Sequence, residues 1–403
     1  MRGINMEETF KLVSRRHTGS GCNFDFLSQK TAENIRSFHR SFPMYQPTPL
    51  AELPETAKAL GLGAIYVKDE SYRFGLNAFK VLGGSYAIGN FLAQKLGKTI
   101  AEVDYDRLIR QDCRQIIGDL TFVTATDGNH GRGVAWTATQ FGQKSVVYMP
   151  KGSAQERLEN IRAAGADASI TDMNYDDAVR LANHQAETKG WILVQDTAWE
   201  GYTDIPTWIM QGYTTMGLEA YEQIPQKPTH IFLQAGVGSM AGAIAGLFAA
   251  IYGEDRPIVT IVEPNKADCI FRTAEADDGK LHFVTGDMDT IMAGLACGEP
   301  CSIGWNILAD YADHFISCPD YVAAKGMRIL GNPAGKDDRV ISGESGAAAF
   351  GAVAELMTNP ALAEYRAAIG LNEHSRVLCF STEGDTDREN YKAIVWDGKY
   401  PGK

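Results

Sequence analysis

A lysine and two loops of small residues stand out in this chain because together they could do carbonyl chemistry. Lys80 lies between Phe79 and the apolar, glycine-rich run 81–84, where partial burial would favour a neutral, nucleophilic amine. The loop at 126–131 carries an amide, and the small-residue turn at 235–240 offers backbone N–H groups that would suit a phosphate. An amine, an amide and a phosphate-sized turn are what an enzyme needs to hold pyridoxal phosphate as a Schiff base.

The turn at 235–240 also permits a different interpretation. The spacing of Gly236, Gly238 and Gly242 approximates a dinucleotide fingerprint, and Glu263 ends the next predicted strand, where a ribose-binding acid belongs. This hypothesis would make the chain a nicotinamide-dependent dehydrogenase. A purely structural alternative is a tight turn with close helix packing through Gly242 and Gly246. A P-loop is excluded, because no Lys-Ser/Thr pair follows the turn.

Two further patterns point only weakly to chemistry. The segment 343–347, Gly-Glu-Ser-Gly-Ala, resembles a nucleophile elbow, but Ala347 stands where the second glycine of that motif belongs. The eight histidines show no ligand spacing, so we expect no catalytic metal.

Composition and charge narrow the class of partner. The 403-residue chain has a net charge of −12 and no basic run longer than Arg15-Arg16, which argues against a nucleic-acid partner. The most apolar stretch, 241–252, is too short to span a bilayer, and residues 1–17 lack the apolar core of a signal peptide. The seven cysteines form no CxxC pair and favour buried thiols in a reducing cytoplasm, with a pairing of Cys269 and Cys297 left open.

The order of predicted elements indicates an α/β fold. Short β-branched runs alternate with longer helical patterns, which is typical of βαβ units and a largely parallel sheet. Predicted strands lie at 65–68, 121–124, 145–149, 168–170, 191–195, 230–234, 258–262 and 376–380, with helices at 81–96, 131–141, 154–164, 176–189 and 240–252. In such sheets ligands bind beyond the carboxyl ends of the strands, where most of these loops lie.

The motifs together resemble those of the tryptophan-synthase-β-like, fold-type II pyridoxal-phosphate enzymes. Within that group the sequence is similar to the family of diaminopropionate ammonia-lyases, and the similarity extends from about residue 45 to 400. It is carried by the segments 68–80, 127–133, 195–202, 291–300 and 381–387. Compared with the wider group, Ala78 replaces a common serine, and Asp127 replaces a small or hydroxyl residue before Gly128.

The resemblance implies a fold with two three-layer α/β/α domains and mostly parallel sheets. A large, discontinuous cofactor domain would comprise residues 1–89 and 201–403, and a small mobile domain residues 90–200. It also implies a homodimer acting on a small amino-acid substrate, with neither nucleic acid nor membrane as a partner.

The resemblance further implies a role for each site residue. Lys80 would carry the cofactor, Asn129 would contact the ring 3′-oxygen, and Ser381 or Thr382 would face the pyridine nitrogen. The remaining predicted cofactor contacts are Phe79, Gly236, Val237, Gly238, Ser239, Met240 and Glu344. The predicted substrate contacts are Thr126, Asp127, Gly128, His130, Asp196 and Tyr202.

The implied reaction is α,β-elimination of 2,3-diaminopropionate to pyruvate and two ammonia, a step of amino-acid catabolism. We expect Lys80 to take the proton from the L-substrate and Asp127 from the D-substrate, with Asp127 and Asp196 keeping the leaving amine protonated. The nearest alternative is a serine or threonine dehydratase of the same fold. A catalytically silent relative that acts only as a binding partner is a third hypothesis, and the presence of both Lys80 and Asn129 argues against it.

Overall fold

The structure, a computed structural model, describes residues 9–15, 21, 23–126 and 128–402. In this part of the chain the strands are β1 (Lys11–Ser14), β2 (Leu50–Glu52), β3 (Ala64–Asp69), β4 (Thr121–Ala125), β5 (Lys144–Met149), β6 (Asp167–Ile170), β7 (Ile192–Leu193), β8 (His230–Gln234), β9 (Ile258–Pro264), β10 (His314–Cys318) and β11 (Arg376–Ser381). They form a seven-stranded sheet in the order β1-β10-β9-β8-β11-β3-β2 and a four-stranded sheet in the order β6-β5-β4-β7. Only β1 and β2 pair antiparallel to their neighbours.

Helices cover both sheets. They are α1 (Gln29–Arg40), α2 (Pro54–Leu60), α3 (Val81–Lys95), α4 (Tyr105–Ile109), α5 (Gln111–Ile117), α6 (Asn129–Gln140), α7 (Gln155–Ala163), α8 (Tyr175–Lys189), α9 (Asp204–Gln223), α10 (Ser239–Tyr252), α11 (Cys269–Ala276), α12 (Ser302–Tyr311), α13 (Asp320–Gly331), α14 (Glu344–Thr358), α15 (Ala363–Ile369) and α16 (Arg388–Val395). In the described residues none of these helices is both long and apolar enough to cross a lipid bilayer.

The large sheet is buried on both faces, because alternate side chains of its central strands enter different cores. On β8, Ile231 and Leu233 pack into the core that includes α9 and α10, whereas Phe232 packs into the core that includes α13 and α14. On strand β11, Leu378 likewise packs into the first of these cores and Cys379 into the second. Period-two alternation with apolar residues on both faces is the signature of a three-layer α/β/α arrangement.

The predicted α/β class with mostly parallel sheets is therefore confirmed. The β4–β7 sheet falls inside the segment predicted as the small domain, and β8–β11 and β3 fall inside the large one. The proposed limits at 89/90 and 200/201 stay a prediction.

Close helix packing fixes the segment that follows Lys80. A Cβ at Gly133 on α6 would lie 2.9 Å from the Val81 Cα, and one at Gly212 on α9 would lie 2.3 Å from the Leu82 carbonyl oxygen. A side chain at Gly83 would likewise meet Ile209 and Tyr213 at 2.7 Å. Glycine at these positions lets α6 and α9 approach α3 closely, so the start of α3 is held from two sides.

A buried network of charges anchors the chain just before Lys80. The Arg73 guanidinium donates to Glu70 and Glu219, and Lys68 pairs with Glu219 at 2.7 Å. Lys68, Glu70 and Arg73 are all fully buried. Burial of charge is tolerated here because each group is paired and hydrogen-bonded.

Candidate active site

The amine of Lys80 faces a cavity between the two sheets. Lys80 stands at the N-cap of α3, and its side chain keeps 17% exposure. Its ammonium pairs with the carboxylate of Asp196, which follows β7 of the small sheet and is 2% exposed. The Tyr175 hydroxyl donates to the other Asp196 oxygen at 3.3 Å. Lys80 and Asp196, which were both predicted as catalytic residues, therefore lie together in one site.

The electrostatics of this pair keep Asp196 ionised. Burial, the largest single effect, would raise the pKa of the Asp196 carboxyl, but the charge and the hydrogen bond of Lys80, helped by His130 and Tyr175, together outweigh burial and hold that pKa well below its usual range. Asp196 is thus a fixed negative charge beside the amine, rather than a proton donor, at neutral pH.

The turn after β8 forms the opposite wall of the cavity. All five predicted residues, Gly236, Val237, Gly238, Ser239 and Met240, line it. Gly238 has φ +91°, a conformation that side chains rarely adopt, and a Cβ at Gly236 would lie 3.2 Å from the Cys297 sulfur. The turn leads directly into α10, whose first N–H groups have no acceptor within the helix. Such a helix N-terminus is a favourable site for an anion.

The loop after β4 reaches the same cavity through Asn129. Gly128 has φ +150° and precedes α6, and the Thr126 hydroxyl accepts the N–H groups of Gly128 at 2.9 Å and Gly131 at 3.1 Å. Asn129 lines the cavity and donates its side-chain N–H to Glu383. Asp127 lies outside the described residues, so its predicted role stays a prediction.

Thr382, just beyond β11, lines the cavity, whereas its neighbour Ser381 does not. The Ser381 hydroxyl is buried and donates to the Ser342 hydroxyl at 2.8 Å. The Thr382 hydroxyl accepts an N–H from Gln234 at 2.8 Å. Of the two residues predicted to face the pyridine nitrogen, Thr382 therefore lines the cavity and Ser381 does not, and the contact itself stays a prediction.

Four predicted substrate residues do not line the cavity: Thr126, Gly128, His130 and Tyr202. The Thr126 hydroxyl is taken up by its own loop, as described above. The His130 ring is buried and bonds to the Val194 carbonyl at 2.8 Å, and burial lowers the pKa of its imidazole. The Tyr202 hydroxyl donates to the Leu193 carbonyl at 3.0 Å and accepts the Gln195 N–H at 2.9 Å. In these positions His130 and Tyr202 support the segment 193–196 that carries Asp196.

Glu344 was predicted as a cofactor contact, but it does not line the cavity. It begins α14, is 2% exposed, and accepts an N–H from Asn390. Burial and the neighbouring Glu383 carboxylate raise the pKa of Glu344 to about 7. Glu344 is thus a protonatable group behind Glu383, not a part of the cavity wall in the described residues.

Sequence reasoning missed several residues of the wall. They are Tyr213, Gln234, Ala235, Ala241, Gly294, Leu295, Cys297, Ser345 and Glu383. Gln234 and Glu383 adjoin segments that were singled out, so their position at strand ends was an available signal. Ala235 belongs to the turn 235–240 that was also singled out, whereas the others come from helices and from the loop 294–297, whose approach depends on tertiary packing.

Two alternative hypotheses from the sequence fail on these contacts. The Glu263 carboxylate accepts the N–H groups of Ile270 at 2.9 Å and Phe271 at 2.6 Å, so it caps α11 instead of facing a ribose. The Ser345 hydroxyl accepts the Gly294 N–H at 2.9 Å, and no histidine is among the cavity-lining residues of the described chain. The six described cysteines, which include Cys269 and Cys297, are buried and not joined in disulfides.

This fold and this lysine-bearing cleft define a pyridoxal-phosphate dependent enzyme, and comparison with known proteins agrees. The family model described as "Pyridoxal-phosphate dependent enzyme" matches residues 42–372. A diaminopropionate ammonia-lyase of Salmonella typhimurium is 52% identical over 390 residues, which cover 96% of this chain and 96% of the relative. The chain belongs to the diaminopropionate ammonia-lyase family.

Solved structures give the same answer. The holo diaminopropionate ammonia-lyase of Escherichia coli superimposes with a TM-score of 0.91 at 49% identity, covering 98% of both chains. A crystal structure of the Escherichia coli enzyme with an aminoacrylate-PLP azomethine reaction intermediate has a TM-score of 0.89 at 48% identity and also covers 98% of both chains. A threonine deaminase of Solanum lycopersicum shares the fold, with a TM-score of 0.74 at 18% identity and 98% coverage of both chains.

The residues present fit pyridoxal phosphate. The cavity places a primary amine opposite a glycine turn at a helix N-terminus, so an aldehyde and a phosphate of one molecule would each find a partner. Glycine at position 236 lets the turn pack closely against the loop 294–297, because a Cβ there would lie 3.2 Å from both the Cys297 sulfur and the Gly294 carbonyl oxygen. Lys80 would hold the aldehyde carbon, the 236–240 amides the phosphate, and Asn129 and Thr382 the ring substituents.

Proposed function

We propose that this chain eliminates ammonia from 2,3-diaminopropionate with pyridoxal phosphate as cofactor. Water enters the reaction, and the products are one pyruvate and two ammonia. The observation that carries the proposal is the Lys80–Asp196 pair in the cavity that the glycine turn at 236–240 also lines. Relatives at 52% identity that are named diaminopropionate ammonia-lyases support the choice of substrate.

The chain's own residues would divide the work. When bound, pyridoxal phosphate supplies an electron sink that acidifies the substrate Cα–H. The Lys80 amine would remove a proton from one face of Cα. The ionised Asp196 carboxylate would stabilise the positive charge on the β-ammonium, so that it leaves as ammonia.

We also propose that both enantiomers are substrates, because the sequence offers two candidate bases, Lys80 and Asp127, one for each face of Cα. Lys80 would serve the L-substrate, and Asp127, one residue before Gly128 in the loop that carries Asn129, would serve the D-substrate. A crystal structure of the Escherichia coli enzyme in complex with D-serine supports access of a D-amino acid to such a site.

The test is Asp127→Asn assayed on each enantiomer separately, with pyruvate as the readout. We expect the rate on the D-substrate to fall by about 10²-fold or more and the rate on the L-substrate to change much less. Equal losses on both enantiomers would refute the assignment of one base to each face. Borohydride fixation of the cofactor on Lys80 in the variant checks that the site is still loaded.

The competing hypothesis is a serine or threonine dehydratase. Its leaving group is a hydroxyl, which gains nothing from a fixed carboxylate that favours an ammonium. Offering serine, threonine and diaminopropionate to the purified enzyme separates the two. A specificity for serine or threonine over diaminopropionate would overturn the proposed substrate.

We propose further that the protein is a cytoplasmic homodimer and that residues 90–200 move as a unit. Buried, unbridged thiols in the described chain support a reducing compartment. The four-stranded sheet, which has its own core around Val147 and Met149, supports a separate unit. Light scattering of the purified protein would test the dimer, and a monomer at working concentration would refute it.

A further inference from the structure

Gln234 ends β8 and places its carboxamide behind Thr382 in the cavity wall. The residue is 1% exposed. Its side-chain nitrogen donates to the Phe380 carbonyl at 2.9 Å and to the Thr382 hydroxyl at 2.8 Å, with the Gly346 carbonyl at 3.4 Å. The amide thus joins the ends of β8 and β11 at the point where β11 reaches the cavity.

These contacts determine which way the amide faces. A backbone carbonyl only accepts hydrogen bonds, so the nitrogen, not the oxygen, of Gln234 must face Phe380. The Thr382 oxygen then accepts from that nitrogen. Because a hydroxyl has a single proton, the Thr382 proton is not used on Gln234 and is available for an acceptor in the cavity.

The side-chain oxygen of Gln234 indicates that packing alone does not explain why a glutamine occupies this position. The Gln234 side-chain oxygen is buried and finds no hydrogen-bond partner in the described part of the chain. A buried acceptor without a donor lowers stability. An apolar side chain of similar length would avoid that cost, so the retained function lies in the N–H groups.

We propose that Gln234 is a positioning residue that fixes the Thr382 hydroxyl as a hydrogen-bond donor to the pyridine nitrogen of the cofactor. The inference rests on the proposed function, since it needs pyridoxal phosphate in this cavity. A neutral hydroxyl that donates leaves the ring nitrogen unprotonated. Gln234 would therefore tune the electron sink through the Thr382 hydroxyl.

The test is the ¹⁵N chemical shift of ring-labelled pyridoxal phosphate reconstituted into the apo-protein. Wild type and Thr382→Ser should both show an unprotonated, hydrogen-bonded ring nitrogen. Thr382→Val and Gln234→Leu should both shift the resonance toward that of a nitrogen without a hydrogen bond. Gln143→Leu is the matched control, because Gln143 is also buried and bonds the backbone, at Leu120 and Gly118, but does not line the cavity. We expect the wild-type shift in that control.

Two outcomes would overturn the inference. One is a Gln234→Leu resonance that equals the wild-type resonance while Thr382→Val differs. The other is a protonated ring nitrogen in the wild type, which is decisive even if Gln234→Leu does not fold. Failure of the proposed function looks different: the wild type would not retain the cofactor on Lys80 after borohydride, or would make no pyruvate from diaminopropionate.

Discussion

Two lysines of this chain, Lys68 and Lys80, each pair with a buried carboxylate but serve different ends. Lys68 is fully buried, and its ammonium donates to Glu219 at 2.7 Å, the Gln223 side chain at 2.8 Å and the Thr48 carbonyl at 2.6 Å. Its three protons therefore meet three acceptors. Lys80 pairs with Asp196, but it keeps partial exposure and lines a cavity.

Glu219 and Asp196, the carboxylates that pair with these two lysines, also differ in their surroundings. Burial would raise the pKa of Glu219, but Arg73 and Lys68 together lower it to about 2. Asp196 is likewise held ionised, and Lys80 is the chief cause. In the first region two cations share a carboxylate within a closed network, whereas in the second the cation lines a cavity. A buried ion pair becomes a reactive site when one partner has room for another molecule.

The largest expected effect is loss of the Lys80 amine. In Lys80→Ala the rate of pyruvate formation should fall by about 10³-fold or more, because the variant lacks both the attachment point and a base. Its urea midpoint in the apo form should also fall, because the buried Asp196 carboxylate loses its ion-pair partner, so the rate is compared on the folded fraction. A folded variant that kept its activity would contradict the assigned role of Lys80.

The corresponding substitution in the buried charge network around Lys68 should lower stability instead of activity. Lys68→Met removes one charge of a buried pair and should lower the free energy of unfolding by about 3 kcal/mol. Urea denaturation with an unchanged slope would measure this. The fraction that remains folded should still fix labelled borohydride on Lys80. A Lys68→Met variant that lost cofactor attachment but kept the stability of the wild type would contradict the structural role assigned to Lys68.

A smaller effect is expected from neutralising the carboxylate beside Lys80. Asp196→Asn keeps the shape and removes the charge, so turnover of diaminopropionate should fall by about 10²-fold while the cofactor still attaches. Steady-state kinetics, on protein in which borohydride fixes the cofactor to Lys80, measures the change in turnover. Glu219→Gln is the matched control, and it should lower stability while leaving the turnover of the folded fraction within about twofold.

The smallest effect concerns pH and the carboxyl behind Glu383. Because the pKa of Glu344 is raised to about 7, the folded chain keeps a proton there that the unfolded chain loses near pH 4.5. Stability from this group is complete below that pH and is lost as pH rises through about 7.

Glu344→Gln should remove that loss, so its stability should exceed that of the wild type by up to about 3 kcal/mol above pH 7 and match it at pH 4.5. Thermal unfolding across that range measures the difference. Glu364→Gln, an exposed site on α15, should follow the wild-type curve. A parallel offset of Glu344→Gln at every pH would show that the carboxyl does not titrate in this range.

Local patterns predicted most of the elements that carry the site. The runs at 230–234 and 376–380 match β8 and β11 to within one residue, because β-branched and apolar residues there are bounded by turn residues. Helix α9, by contrast, was not predicted, although it spans Asp204–Gln223. Its buried positions go almost all the way round, so it lacks the polar face that marks an amphipathic helix.

The sequence alone determined the chemistry of the site: an amine at Lys80, a phosphate turn at 236–240, and loops at the ends of parallel strands. Those features are local, since they depend on residue type and on glycine conformations within a few positions. Only the tertiary structure decided that Glu263 caps a helix, that Thr382 and not Ser381 meets the cavity, and that Gln234 and Glu383 join the cavity wall beside Thr382 and Asn129. These outcomes depend on which elements pack together and how closely, and residue types along the chain do not encode that distance.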